Sequence, residues 1–309
     1  IRGIAKPIGA ADSFFDAVRV ETFYAGSVSF SKNQILLGTN DFTEQYLYRE
    51  VNVTGGISSA TPNWWGSACG PNSFVGNAAY SPWYADAAMT TTVSGATGSY
   101  TFAPGTSTAA MNATIACAAP GSTFTFQSGN HNGNIVIPAG REHLTFTLKN
   151  GANINANSPC FTVNASYTTI TTESIGGAKC IPTGGSNGID VAAGLVNIIL
   201  KGMEFDGTGQ TTGAGINFIG AIEDLQVVDN YIHDMDGDGL KFNVQPIGVV
   251  DIRGNMFKNN AGLGINNAAG TTAIDATFNS WGSQGGPAGT GGDGVSTFVT
   301  FSPWTNVDL

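Results

Sequence analysis

The chain reads as an all-β protein folded as a parallel β-solenoid. The first observation behind that reading is an internal repeat. Aligning VVDNYIHDMDGDGLKF, DIRGNMFKNNAGLGIN and DATFNSWGSQGG places Asn230, Asn255 and Asn279 in one column, 25 and 24 residues apart. Ile232, Phe257 and Trp281 follow two positions later in each copy, and Met203 and Phe205 hold the same columns one copy earlier. A second column, Gly188, Gly215, Gly239 and Gly264, keeps the period with spacings of 27, 24 and 25. The second observation is local. Each period carries about three short strand-like runs, such as LQVV, NYIH and LKFN, separated by Gly, Asn and Asp, with no 3.6-residue apolar stripe. Three strands per period make one coil, and coils stack at the interstrand spacing of about 4.8 Å. Stacking puts like side chains above one another. Ile232, Phe257 and Trp281 then belong inside, and the Asn column belongs at a tight turn, where an amide bonds the next coil's backbone. The column glycines supply positive φ or close approach.

Upstream, residues 109–118 are Ala-rich and helical in pattern, and PGS breaks them. A short amphipathic helix there caps the open first coil. The solenoid is expected over residues 105–309. Residues 86–104, rich in Thr, Ser, Gly and Ala, read as a linker or a crossing strand. Residues 1–85 read as a partial N-terminal β unit. It ends in PNWWGSACGPNSFVGNAAYSPW, a near copy of the chain's last stretch, FNSWGSQGGPAGTGGDGVSTFVTFSPW. Both run Asn, any residue, Trp-Gly, then Gly-Pro, then Ser-Pro-Trp. A terminator without a solenoid of its own implies a piece of a tandem array, or a unit that docks on a solenoid in its own or a neighbouring subunit.

These residues carry a resemblance. From position 108 to the final Ser-Pro-Trp the chain resembles the right-handed parallel β-helix superfamily called pectin-lyase-like, and within it secreted or surface modules ending in an NWWG…GP…FSPW motif. The superfamily holds polysaccharide lyases and hydrolases, tailspikes, adhesins and structural repeats, so the resemblance implies a fold and leaves the activity open.

Composition narrows the function. The chain has 309 residues, a net charge of −10 and 12 Lys plus Arg, which excludes a nucleic-acid partner that needs clustered cations. No run of about 20 apolar residues occurs, so no helical membrane span is expected. The chain opens on Ile1, which reads as a processed or partial chain. Four cysteines without metal spacing fit two disulfides in an exported protein. Three pairings are open. The 20-residue spacing of Cys160 and Cys180, just under one coil, favours joining them, and Cys69 then pairs with Cys117. Asn52, Asn112 and Asn164 head N-glycosylation triplets.

Chemistry-bearing groups are sparse. HDMDGDG places Asp234, Asp236 and Asp238 before Gly239, as in the first half of a calcium loop. The last acidic position of such a loop falls on Gln245, and the aligned NAGLGIN one coil later has no acids, so Asp-Gly turn chemistry accounts for the stretch. Calcium is thus the one candidate cofactor, with none as the default. As catalytic candidates the pattern offers Asp206, His233, Asp236 and Lys241: acids for glycoside hydrolysis, with Asp206 one coil below His233, or a Lys base for a lyase. Paired acids of hydrolase type are missing. Lys201 and Arg253 are too few cations to hold a polyanion against the chain's own field. The expectation is therefore an extracellular or cell-surface structural protein, a subunit of a fibre, sheath or adhesin that associates with itself head to tail. A carbohydrate-active lyase or hydrolase, or a passive glycan-binding module with glycans as partners, is the alternative.

Overall fold

The computed structural model describes residues 97–306 together with Cys69 and six short strands before them. The chain divides into two compact units, Ile1–Gly95 and Ala96–Leu309. In the first unit, Val28–Ser29 pairs with Ile57–Ser59 and Val51–Asn52 with Phe74–Val75, both parallel, while Trp83–Tyr84 pairs antiparallel with Thr92–Val93. Most of the first NWWG…SPW copy lies outside the described residues; its last residue, Trp83, is buried.

The second unit is a parallel β-solenoid with three sheets. The first sheet stacks Ser99–Phe102, Thr123–Phe126, Thr145–Leu148, Thr168–Thr172, Leu195–Lys201, Ile222–Val228 and Ile247–Arg253. The second stacks Gly129–Asn132, Ala152–Ala156, Lys179–Pro182, Glu204–Asp206, Tyr231–His233 and Met256–Lys258, and the third runs from Ile135–Ile137 to Ile265–Asn266. Ser99–Phe102 enters the first sheet beside Thr123–Phe126, so the ladder begins inside the stretch read from sequence as a linker or crossing strand. The alternation Ser-Tyr-Thr-Phe explains it, since Tyr100 and Phe102 turn inward onto Phe124 at ring distances of 5.2 and 5.9 Å.

Period-2 alternation within strands and the coil repeat between them produce straight interior columns. In the first sheet Phe124, Phe146, Ile170, Leu200, Val227 and Ile252 are in register. In the third, Ile135, Phe161, Ile189, Ile216, Leu240 and Ile265 are. All are buried. The second sheet stacks His131, Ile154, Cys180, Phe205, Ile232 and Phe257 inward. Trp281 continues that column, its ring 5.2 Å from Phe257 and fully buried.

Asn230, Asn255 and Asn279 form a buried ladder at one corner. The Asn255 side-chain oxygen accepts from Asn230 N at 3.0 Å, and the Asn279 side-chain oxygen accepts from Asn255 N at 2.8 Å. Each amide nitrogen donates to a backbone carbonyl on an earlier coil: Leu200, Val227 and Ile252 respectively. The glycine column is explained by crowding, with no need for positive φ. A Cβ on Gly239 would lie 2.5 Å from the Gly264 carbonyl oxygen and 2.7 Å from the Phe257 ring.

Both ends of the solenoid are closed by elements the sequence marks. The helix Thr108–Cys117 starts on Ser107, whose hydroxyl accepts from Ala110 N, and buries Met111 and Ile115 over the first coil. Asn112 fixes it there, accepting from Val136 N and donating to the Asn134 carbonyl, both at 2.9 Å. At the other end, the Gly-Pro of the terminator has a steric cause. Gly286 sits at φ 69°, and a Cβ on it would lie 2.9 Å from the Trp304 ring. All four cysteines are in disulfides. Cys160 and Cys180 are bridged with Cα atoms 5.9 Å apart, and Cys69 and Cys117 are disulfide-bonded too.

Candidate functional site

The outward face of the second sheet gathers the molecule's most connected charges. Alternation turns Lys179, Glu204 and Tyr231 outward in one register column, and Asp206, His233 and Lys258 in the next. Their neighbours Cys180, Phe205, Ile232 and Phe257 point inward, so the same pleat that builds the core places the charges together. Lys179 donates to Glu204 at 2.6 Å and to Asp206 at 3.1 Å. His233 Nε2 lies 3.1 Å from Glu204 and 4.0 Å from Asp206, and its Nδ1 lies 2.6 Å from Asp234. Asp234 has φ 56°, a left-handed turn conformation that Asp tolerates and that swings its carboxylate back onto the imidazole. Tyr231 covers the ring of His233 at 4.1 Å, leaving His233 only 7% exposed.

Both nitrogens of His233 therefore face carboxylate oxygens, an arrangement that only the doubly protonated ring satisfies. Burial pulls the His233 pKa down, but the hydrogen bonds to Glu204 and Asp234 outweigh it and hold the pKa above the ordinary value. Burial raises Glu204, and the His233 and Lys179 hydrogen bonds overcome it, so Glu204 lies below the usual carboxylate range. Asp206 is likewise raised by burial and brought below its usual value by Thr208 and Lys179. Asp234 follows the same pattern through His233 and Asn259. The cluster is thus an imidazole and an ammonium interleaved with carboxylates across successive coils, with His233, Glu204, Asp206 and Asp234 each shifted toward the charged form.

Among the described residues, Glu204, Asp206 and His233 form the group of carboxylate and imidazole ligand atoms lying within 4.8 Å of one another. These donors have the chemistry to hold a divalent ion. Lys179 already neutralises both carboxylates, however, and His233 lacks a free lone pair while both nitrogens are bonded. Of the residues singled out by sequence, Asp206 and His233 are brought together and Asp234 joins them. Asp236 and Asp238 are not. Asp236 accepts from Thr212 N at 2.9 Å, and Asp238 accepts from Leu263 N at 2.8 Å and the Asn266 side chain at 3.0 Å. Each binds a neighbouring coil, so the three aspartates of HDMDGDG do not converge as calcium ligands. Lys241 lies on the third sheet, in register with Asn217 and Asn266.

Sequence reading missed Lys179 and Glu204. Glu204 lies between Met203 and Phe205 in a copy the repeat already aligns, and extending the repeat one coil further upstream would have put Lys179 beside it. It also missed Asp293, which receives Asn260 N and the Asn260 side chain, the latter at 2.6 Å. Burial pushes Asp293 up to about 6 against those hydrogen bonds.

No protein-family model, curated protein or solved structure matches the chain.

Proposed function

We propose that this protein is an extracellular structural β-helix, the subunit of a surface fibre, sheath or adhesin, built on a right-handed helix of the pectin-lyase-like kind. The observation that carries the reading is the state of the charge cluster on the second sheet. A retaining glycosidase needs two carboxyl groups about 5–5.5 Å apart, one of them protonated as the acid. Here Glu204 and Asp206 are both held ionised by Lys179 and His233. Such a network joins coils and leaves neither Glu204 nor Asp206 as the protonated carboxyl that this chemistry uses as its acid, and Lys179 is ion-paired where a lyase base would need a free amine. The same economy holds elsewhere: Asp236, Asp238 and the Asn ladder all engage a neighbouring coil. Four bridged cysteines support an exported location.

Assembly is head to tail, with residues 1–85 of one copy against the last coils, near 271–309, of the next. Such a heterologous contact propagates into a filament unless it closes into a ring. Phe278 and Phe298, 53% and 44% exposed within those last coils, supply apolar surface for it. Deleting residues 1–60 is expected to leave a folded monomer that no longer polymerises; fibres from the truncated chain would refute the contact. Incubation with uronate and neutral polysaccharides is expected to yield neither unsaturated nor new reducing ends. Either product would replace the structural reading with the carbohydrate-active one.

A further inference from the structure

One corner of the solenoid carries a column of left-handed residues. Register places Gly121, His143, Tyr167, Asn197, Asp224 and Gly248 in one column of the first sheet, the first three just before their strands and the last three within the first residues of theirs. Their φ values are 81°, 59°, 56°, 56°, 56° and 70°. Gly, Asn, Asp and, to a lesser degree, His accept this conformation, whereas a bulky side chain such as that of Tyr167 is strained there. The coils with Asn197 and Asp224 show that the turn forms without an aromatic ring. Yet the two earlier coils place His143 and Tyr167 at it, stacked at 4.4 Å and 16°, with Tyr167 40% exposed. Burial does not explain a strained aromatic at the surface, and backbone strain of this kind gathers at binding sites.

We infer that this corner is a binding site for a neutral saccharide, formed by the Tyr167–His143 rings and the polar residues beyond them. Asn197 and Asp224 are short, so the column steps down next to the Tyr167 ring over two coils, about 10 Å. Among the described residues the Asn197 amide has no hydrogen-bond partner, and Asp224 accepts from Val249 N through Oδ1 at 2.8 Å. An aromatic face beside an amide and a carboxylate matches a pyranose, which offers C–H groups to the ring and hydroxyls to the polar pair. Charge selects against acidic ligands. Glu142, Asp224 and Glu223 flank the corner, the net charge is −10, and the nearby Arg141 is directed to the Ala118 carbonyl at 3.5 Å. The site lies on the first sheet, a different face from the Lys179–His233 cluster on the second.

The test is an NMR titration of the intact protein with malto-, cello-, xylo- and chitohexaose, with tetragalacturonate as the charged comparator. A neutral oligosaccharide is expected to bind saturably and to shift the Tyr167 and His143 ring resonances. Tyr167→Asn, which copies the next coil, should keep the fold and weaken binding at least tenfold. Tyr167→Phe, which keeps the ring, should bind within about threefold of the parent. Absence of saturable binding up to millimolar hexasaccharide, undiminished binding by Tyr167→Asn, or a preference for tetragalacturonate would each overturn the assignment.

Discussion

Replacing Asn255 by Ala removes the middle member of the buried ladder, and the structure sets the size of the loss. The Asn255 side-chain oxygen is the acceptor for Asn230 N and for the Asn230 amide, both at 3.0 Å. Its amide nitrogen donates to the Val227 carbonyl at 2.7 Å and to the Asn279 side chain at 3.0 Å. Asn230 and Asn255 are 0% and 1% exposed, so water does not take over. The Asn230 amide keeps Leu200 as a partner, but Asn230 N–H is orphaned. One buried unsatisfied donor costs about 1–3 kcal/mol, and the three other lost bonds about 1 kcal/mol each, giving about 4–6 kcal/mol in all. Asn243→Ala is the matched surface control. Asn243 also bonds an Asn one coil away, Asn217, at 2.8 Å, but it is exposed, and its loss should stay within about 0.5 kcal/mol. Urea unfolding followed by circular dichroism, at unchanged m-value, measures both. An Asn255→Ala loss below about 1 kcal/mol, or one equal to that of Asn243→Ala, would show that the ladder does not hold the coils together.

Phe257→Ala, which empties the space between Ile232 and Trp281, should cost about 3–5 kcal/mol by the same assay; a loss under about 1 kcal/mol would place Phe257 outside the working core. Replacing Cys160 and Cys180 together by Ala should cost about 3 kcal/mol, the scale for a loop of this length, and an unchanged denaturation midpoint would mean the bridge is dispensable. Stability should peak between about pH 4 and 6. His233 has a folded pKa above its ordinary 6.5, so its contribution is complete below that value and fades as pH rises through the folded pKa. Asp293, raised from 3.8 to about 6, destabilises progressively as pH climbs between those values. Glu204, Asp206 and Asp234 are lowered, so their contribution is present above the ordinary carboxylate range and lost as pH falls through the folded values. A melting temperature that rises from pH 6 to 8, or an alkaline decline that survives in His233→Gln, would contradict the clamp.

The columns were legible because stacking converts a sequence period into a spatial one. Asn230, Asn255 and Asn279 align by counting, and so do Ile232, Phe257 and Trp281. The helix was legible from its Ala run and its Pro-Gly stop. Outward-facing chemistry was harder to see. Which of Glu204, Asp206 and Lys179 meets His233 depends on strand register in coils whose lengths vary from 22 to 30 residues, as the 30-residue separation of Tyr167 from Asn197 illustrates. The aspartates of HDMDGDG have the spacing of a calcium loop, but they divide between the two neighbouring coils, Asp236 bonding the preceding one and Asp238 the following one. The left-handed corner was hidden for another reason: Tyr167 and His143 are not turn formers, and only register reveals that they share a column with Gly121 and Asn197.

The central claim is that the molecule is a self-associating structural solenoid. Cryo-electron microscopy of the intact chain across a concentration series, paired with sedimentation velocity, tests it most directly. The account predicts unbranched filaments with one repeating contact between residues 1–85 of one copy and residues 271–309 of the next. A single monomeric boundary at every concentration, with isolated particles on the grid, would contradict it.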